Sequence, residues 1–321
     1  MKPEGIYTIL PTPLTSRGAI DEKGLRCLVD FCCEQEFQGV VVLGSNGEFP
    51  FLTEREKKRV MAIAADAARG RLTVVAGVSS HGTDQACLMA REAARVGCDA
   101  VMCALPLYFN LDMDQVLSHF RVLHQKGKLP IFFYYFPDTT RLVLKAEQIA
   151  EIADLEGVIG AKLTAMSVPF LKSVLALTRN KDFALFTGMT VLFQECLEAG
   201  GAGVFCPHPL LGPKDAKAIW QAFKDGDRKG MEKAQSKFLQ TLSLFSGLDF
   251  SPEDSATIFK KIMQRPMSEK PDPSNQNHSL LKEALRLQGF PITNRVKLPY
   301  QSVTPEQSAI LKKTLESLGW L

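Results

Sequence analysis

Several features that mark metal or disulfide proteins are missing from this sequence of 321 residues. The eight cysteines include no C-x-x-C pair, and the five histidines form no i, i+4 ligand pair. A zinc site is therefore not expected, and neither is any other metal site. Buried free thiols in a reducing cytoplasm are the simplest explanation of the cysteines, so we expect a cytoplasmic protein.

The chain also lacks long apolar runs and clusters of one charge. No window approaches the length needed to cross a bilayer, and residues 1–4 lead into a strand without a signal-peptide core. The net charge is only +3, and no basic run is interleaved with aromatic residues. We therefore expect neither a membrane nor a nucleic acid as a partner.

Short β-prone runs alternate with amphipathic helical patterns as far as residue 206. Eight β/α units in this length predict a (β/α)8 barrel, with an open doubly wound sheet as the alternative. No G-x-G-x-x-G sequence follows any strand, which disfavours that alternative. The predicted strands cover residues 5–10, 39–43, 72–78, 99–105, 130–136, 157–164, 183–187 and 202–206.

The strand pattern stops after residue 212. Helical patterns cover residues 215–224, 229–245, 279–288 and 304–317, and a polar, proline-bearing segment at 251–278 interrupts them. We therefore predict a barrel over residues 1–212 and a C-terminal helical region over residues 213–321 that packs on it.

The run at residues 157–164 is apolar up to Lys162, which lies near its carboxyl end. In a barrel of this type, functional groups come from the carboxyl ends of several strands. A lysine there loses hydration, and its neutral amine becomes a nucleophile toward carbonyl groups. The alternative is a lysine that extends to solvent, which is the commoner case for a single strand-end lysine.

Other polar residues lie at neighbouring strand ends. By the alternation of a strand, Tyr134 and Lys162 are both expected to point into the barrel mouth. Ser45 and Asn46, flanked by glycines, form a turn whose N–H groups and side-chain donors suit a small carboxylate. A core tyrosine and an ordinary βα turn are the alternatives for these residues.

Three motifs occur in a specific order: residues 44–48 (GSNGE), Tyr134-x-x-Pro137, and Gly160-x-Lys162. Together they resemble the dihydrodipicolinate synthase / N-acetylneuraminate lyase family, and the resemblance covers nearly the whole chain. Residues 44–53 and 319–321 are most similar to the 4-hydroxy-2-oxoglutarate aldolases of that family. The resemblance implies a barrel enzyme that forms a Schiff base with pyruvate or another 2-oxo acid and uses no metal or organic cofactor.

The resemblance also implies a role for each matching residue. Lys162 would form the Schiff base, Tyr134 would carry protons to and from the substrate, and Ser45 would relay them. Ser45 and Asn46 would hold the carboxylate of the 2-oxo acid. Tyr108 matches a tyrosine that the synthases lend to a neighbouring subunit, and a homo-oligomer, either a dimer or a tetramer, is implied.

Other positions bear on the substrate. Thr164 matches a substrate-facing threonine of the sialic acid lyases, and Val204 is expected to contact substrate. Thr139 replaces an arginine of the synthases, while the nearby Arg141 either supplies that charge or faces solvent. Leu163 is expected to make the pocket more apolar. The acidic pair that the lyases carry after the seventh strand is absent, so sialic acid is not the expected substrate.

We therefore predict a Schiff-base aldolase or lyase whose small-molecule partners are a 2-oxo acid and an aldehyde. Dihydrodipicolinate synthase activity is an alternative that Thr139 weakens. A non-catalytic family member that binds 2-oxo acids is another, disfavoured by the joint presence of Lys162, Tyr134 and Ser45. A barrel for phosphorylated sugars is disfavoured because no glycine-rich loop follows the seventh or eighth strand.

Overall fold

The computed structural model describes residues 2–106, 109–246 and 278–321. Eight parallel strands close into a barrel, in which each strand pairs with its neighbours in the chain and the last pairs with the first. The predicted (β/α)8 barrel is thereby confirmed. The strands are β1 Gly5–Ile9, β2 Gly39–Val42, β3 Thr73–Gly77, β4 Ala100–Ala104, β5 Ile131–Tyr135, β6 Val158–Leu163, β7 Ala184–Thr187 and β8 Gly203–Cys206.

Helices alternate with the strands and continue after β8. They are α1 Glu22–Glu34, α2 Glu54–Ala68, α3 Thr83–Val96, α4 Met113–Gly127, α5 Pro137–Thr140, α6 Ala146–Ile152, α7 Val168–Thr178, α8 Phe193–Glu198, α9 Pro213–Asp225, α10 Arg228–Ser246, α11 His278–Leu287 and α12 Pro305–Leu318. None of the described helices is long and apolar enough to span a membrane.

Most helix bounds agree with the sequence patterns because the signals that start a helix are local. Thr53 and Thr304 each accept from the backbone of the third helical residue and complete a capping box. Helix α7 was not predicted, because its residues are apolar on most sides and its periodicity is weak. The polar segment predicted at 251–278 lies outside the described residues, except for His278, which begins α11.

Aromatic rings fill the barrel lumen below its mouth. Phe186 and Phe205 stack with 4.4 Å between ring centroids, and Tyr7 lies 4.7 Å from Phe205. Phe132 lies 5.0 Å from Phe205 and precedes Tyr134 on the same face of β5. These rings therefore form the floor of the lumen and leave the carboxyl ends of the strands as the place for a ligand.

The end of the chain is anchored to α9 and α10 through Trp320. Its indole Nε1 donates to Asp215 Oδ2 at 2.7 Å, and its ring lies 5.2 Å from that of Phe238. Gln288, which follows α11, donates to the carbonyl groups of Leu211 and Trp320 at 2.7 Å each. Helices from the C-terminal region are thus tied to the segment that follows β8.

Glu195 on α8 has a partly buried carboxyl group, one oxygen of which lacks a hydrogen-bond partner among the described residues. That oxygen, Oε2, is buried. Burial raises the pKa of Glu195 to about 7. The charged carboxylate is therefore disfavoured in the folded protein, whereas in the unfolded chain the group ionises near its ordinary value of 4.5.

We expect Glu195→Gln to stabilise the protein in a pH-dependent way. Below pH 4.5 the carboxyl is protonated in both states, so the substitution should have little effect. The advantage of the variant should grow as pH rises from 4.5 to 7 and then level off at about 1–3 kcal/mol. Urea unfolding of both proteins between pH 4 and 8 measures it.

Glu198→Gln provides a matched control on the same helix. Glu198 is partly exposed and forms an ion pair with Arg228 at 3.4 Å, so its loss should change the free energy of unfolding by less than about 1 kcal/mol at every pH. A stability difference for Glu195→Gln that does not vary with pH would contradict the assigned titration.

Candidate active site

Lys162 lies inside the barrel mouth. It is only 3% exposed, and its Nζ lies 4.0 Å from the centroid of the Tyr134 ring. This contact follows from strand register, because Tyr134 of β5 is paired with Lys162 of β6, and paired residues present their side chains on the same face. The lysine side chain is therefore buried with its Nζ against an aromatic face, and the interpretation as a solvated strand end is wrong.

The turn after β2 brings a hydroxyl to the same place. Ser45–Gly47 forms a single turn of 3-10 helix, and the Ser45 Oγ lies 3.4 Å from the Tyr134 hydroxyl, with either group able to donate. The Thr12 hydroxyl donates to the Gly47 carbonyl at 2.7 Å and holds the turn against the end of β1. Asn46 is half-buried in the same turn. Lys162, Tyr134 and Ser45 thus form one contact group, in which the lysine meets the tyrosine ring and the serine meets the tyrosine hydroxyl.

Thr164 follows Lys162 by two residues, and both side chains lie next to Gly188. The Thr164 backbone N–H donates to the Tyr135 carbonyl at 2.9 Å, which continues the β5–β6 pairing. Its Oγ1 is buried and has no hydrogen-bond partner among the described residues. A hydroxyl in this position is available to a ligand at the lysine.

Gly188 is a site residue that the sequence reasoning did not single out. A Cβ at this position would lie 1.9 Å from Thr164 Oγ1 and 2.8 Å from Lys162 Cε. The Gly188 N–H donates to the Leu163 carbonyl at 2.7 Å, so the backbone passes directly over the lysine side chain. Only glycine leaves room for this approach. A glycine that directly follows a predicted strand was the available signal.

Val204 does not join this group. It is fully buried, but it packs between the barrel and the helices, whereas the next residue, Phe205, faces the lumen. Successive residues of a strand point to opposite faces, so Val204 is on the wrong face for contact with a ligand in the lumen. Phe205 has the lumen position that the prediction gave to Val204.

Leu163 is likewise turned away from the mouth. It is 2% exposed and packs in the layer between strands and helices, so the expectation that it lines the pocket is wrong. Apolar side chains are found instead in the segments that follow β6 and β7. Met166 and Met189 pack against a small buried cluster there that includes Val191 and Leu192.

Two positions relevant to the aldehyde partner are exposed. Thr139 and Arg141 lie on and next to the short helix α5, and both side chains are solvent-exposed. Arg141 has a φ of 61°, the left-handed conformation that a glycine would adopt without strain. Of the two possibilities for Arg141, the exposed side chain agrees with the one that faces solvent. Tyr108 lies outside the described residues, so its role toward a neighbouring subunit stays a prediction.

The histidines near strand ends are poor candidates for acid–base work. Burial lowers the pKa of His208, which follows β8, to about 4. His81 after β3 is exposed. No group of three or more potential metal ligands occurs in the part of the chain that the structure describes.

The fold and these side chains define a class of protein. It is a (β/α)8 barrel with a buried lysine ending its sixth strand, a tyrosine in register on the fifth, and a serine-bearing turn after the second. In this protein these polar side chains lie above a floor of aromatic rings.

Comparison with known proteins identifies the family. The model of the dihydrodipicolinate synthetase family matches residues 2–252, and the chain belongs to this family of lyases and synthases. The 4-hydroxy-tetrahydrodipicolinate synthase of Protochlamydia amoebophila (strain UWE25) is 31% identical over 228 residues, which are 70% of this chain and 76% of that protein. The enzyme of the same name from Synechococcus sp. (strain JA-2-3B'a(2-13)) is 27% identical over 316 residues, 98% of this chain and 94% of that protein.

Solved structures agree on the fold. YagE, a prophage protein of the dihydrodipicolinic acid synthase family from E. coli K12, was crystallised in complex with pyruvate. It superposes with a TM-score of 0.87 at 24% identity, over 99% of each chain. At this identity the likeness establishes the architecture alone.

Proposed function

We propose that this protein is a Schiff-base aldolase or lyase that makes or cleaves a 2-oxo acid, with pyruvate or a similar 2-oxo acid bound covalently to Lys162. The observation that carries the proposal is the contact group of Lys162, Tyr134 and Ser45 at the barrel mouth. Family membership supports it independently.

The proposed reaction takes place on the Lys162 side chain. The Lys162 amine adds to the ketone carbon, and loss of water leaves a protonated imine. In the cleavage direction, the bond between C3 and C4 breaks, its electron pair moves toward the imine nitrogen to form an enamine, and the C4 hydroxyl loses a proton to give the aldehyde. Protonation of C3 and hydrolysis then release pyruvate and restore the amine. The imine itself supplies the electron sink, so the proposed step needs no metal or organic cofactor.

Tyr134 and Ser45 are the proposed proton carriers. The Tyr134 ring covers the amine and its hydroxyl lies 3.4 Å from Ser45 Oγ, so a proton can pass between the two hydroxyls. The backbone N–H groups of the turn at Ser45 and Asn46 are proposed to hold the substrate carboxylate, since successive N–H groups in a tight turn bind anions. Thr164 Oγ1, which has no partner among the described residues, is proposed to bind a polar group of the substrate.

Dihydrodipicolinate synthase activity is the second candidate. The names of the curated relatives favour it. Against it, Thr139 stands where the resemblance places the arginine that binds the aldehyde's carboxylate, and Arg141 is exposed. We therefore propose an aldehyde partner whose binding does not depend on an arginine at position 139.

We expect borohydride reduction in the presence of pyruvate to leave a covalent adduct on Lys162. The buried amine forms an imine, and reduction makes the linkage permanent, so intact mass and peptide mapping can detect it. Lys162→Ala should lose the adduct, whereas Lys126→Ala, which removes an exposed lysine on α4, should retain it. An adduct that persists in Lys162→Ala, or none on the unaltered protein, would sink the mechanism.

The adjacent tyrosines of β5 offer a matched pair for the proton carrier. Tyr134→Phe should keep imine formation but lower turnover about 10²–10⁴-fold, because a general acid–base group is lost. Tyr135 faces the opposite side, where its hydroxyl accepts from the Leu144 N–H at 3.0 Å. Tyr135→Phe should therefore cost about 1–2 kcal/mol of stability and leave turnover near normal. Equal turnover in the two variants would contradict the role of Tyr134.

A pyruvate-release assay across several substrates tests the proposed substrate class. We expect 4-hydroxy-2-oxoglutarate or a 2-keto-3-deoxy sugar acid to be cleaved at least about 100-fold more efficiently than sialic acid, because the mouth near β7 carries Met189 rather than acidic groups that bind sugar hydroxyls. Efficient cleavage of sialic acid would contradict this assignment. Adduct formation without release from any substrate would favour the non-catalytic binding protein.

A further inference from the structure

The residue that follows the Ser45 turn, Glu48, forms a buried ion pair with Lys282. Glu48 is 1% exposed, and Lys282 on α11 is fully buried. The Lys282 ammonium contacts Glu48 Oε1. The pair therefore joins the loop after β2 to the C-terminal region, across a separation of 234 residues in the sequence.

Each charge of the pair has a further partner in the C-terminal region. The Lys297 backbone N–H donates to Glu48 Oε2 at 2.6 Å, and Lys282 Nζ donates to the Arg295 carbonyl at 2.7 Å. Burial lowers the pKa of Lys282, and the Glu48 carboxylate opposes that shift. The carboxylate is thus held by two groups in a defined geometry.

Aromatic contacts brace the same junction. The Tyr300 ring lies 5.0 Å from the Phe51 ring and 4.7 Å from His278, in each case edge to face. Phe51 follows Glu48 in the loop after β2, and His278 lies one helical turn before Lys282 on α11. The loop is therefore held from the C-terminal side by both charge and packing.

The backbone of Glu48 is held in an unfavourable conformation. Its φ is 58° and its ψ is 30°, the left-handed region, which crowds the Cβ of any residue with a side chain. Such conformations persist where surrounding contacts over-determine them. In this conformation the Glu48 N–H donates to the Ser45 carbonyl at 2.9 Å, so the position of Glu48 directly sets that of the turn that carries Ser45.

Stability alone is a weak explanation for this arrangement. Removing two charges from water costs more than their attraction commonly returns, and an apolar pair of similar volume is often at least as stabilising. What this ion pair adds, together with the hydrogen bonds of its two members to the Lys297 N–H and the Arg295 carbonyl, is directional restraint. The restrained element here carries the hydroxyl that lies 3.4 Å from the Tyr134 hydroxyl.

We propose that Glu48 and Lys282 are positioning residues for the reaction: their buried ion pair lets the C-terminal region hold the Ser45 turn in the geometry that proton relay to Tyr134 requires. Neither residue touches the substrate; both act through Ser45. The inference rests on the proposed function, because it assigns a task to the same site.

The test compares two steps in Lys282→Met. Imine formation uses the Lys162 amine, and saturating pyruvate offsets any weaker hold of the turn on the carboxylate, so borohydride trapping at saturating pyruvate should stay within about twofold of the unaltered protein. Exchange of the pyruvate methyl protons with deuterated solvent, followed by NMR, needs the proton relay and should slow about 10- to 100-fold, the range that a small misplacement produces. Both are measured at a temperature where circular dichroism shows the variant folded.

A double-variant cycle separates positioning from a general structural role. If Lys282 acts through Ser45, adding Lys282→Met to a Ser45→Ala protein should slow exchange by less than about twofold further. Additive losses would overturn the proposal. Glu48→Gln, which keeps the acceptor for the Lys297 N–H but not the charge, carries the same expectation and serves if Lys282→Met does not fold.

Arg286→Met is the matched control on the same helix. Arg286 pairs with Glu283, a carboxylate that is also 1% exposed but lies away from the Ser45 turn and is contacted by Asn294. This variant should lose stability and keep normal exchange. Normal exchange in Lys282→Met and Glu48→Gln with trapping intact would overturn the positioning role alone, whereas absence of trapping in the unaltered protein would overturn the proposed function and this inference together.

Discussion

The parallel register between β5 and β6 is the constraint on which the site depends. It pairs Tyr134 with Lys162, and because the two strands lie side by side, the lysine amine reaches the tyrosine ring. A slip of one residue would turn Tyr135 into the lumen and Tyr134 into the helical layer. Barrel closure prevents such a slip, since each strand is held from both sides and the last strand pairs with the first.

The mouth is assembled from segments with different degrees of restraint. Lys162 and Tyr134 lie on strands, where backbone pairing fixes them. Ser45 lies on a single 3-10 turn whose own hydrogen bonds are few. Such a turn needs outside support, and the structure provides it from Thr12 on one side and from the Glu48–Lys282 pair on the other. The C-terminal region therefore contacts the Ser45 turn, the part of the candidate site with the fewest backbone hydrogen bonds of its own.

Much of the fold could be predicted from the sequence because its signals are local. Apolar runs, capping residues and breaks located all eight strands and most helices. Helix α7 was missed because its apolar residues surround the helix and give no clear period. Strand ends and motifs also predicted that Lys162, Tyr134 and Ser45 lie together at the barrel mouth, and the structure brings them together there. Gly188 was missed because its role is to leave space beside Thr164, which no local pattern records.

The errors at Val204 and Leu163 have different causes. β8 is buried on both sides and apolar throughout, so composition does not tell which of its residues face the lumen. Leu163 directly follows Lys162, and strand alternation, applied to it as well, places it on the opposite face. By itself the sequence determined the architecture and predicted which polar residues meet at the barrel mouth, because hydrophobic period and residue chemistry are local properties. The tertiary structure decided the register that brings Tyr134 to Lys162, and that Glu48 meets Lys282, because these depend on contacts between distant parts of the chain.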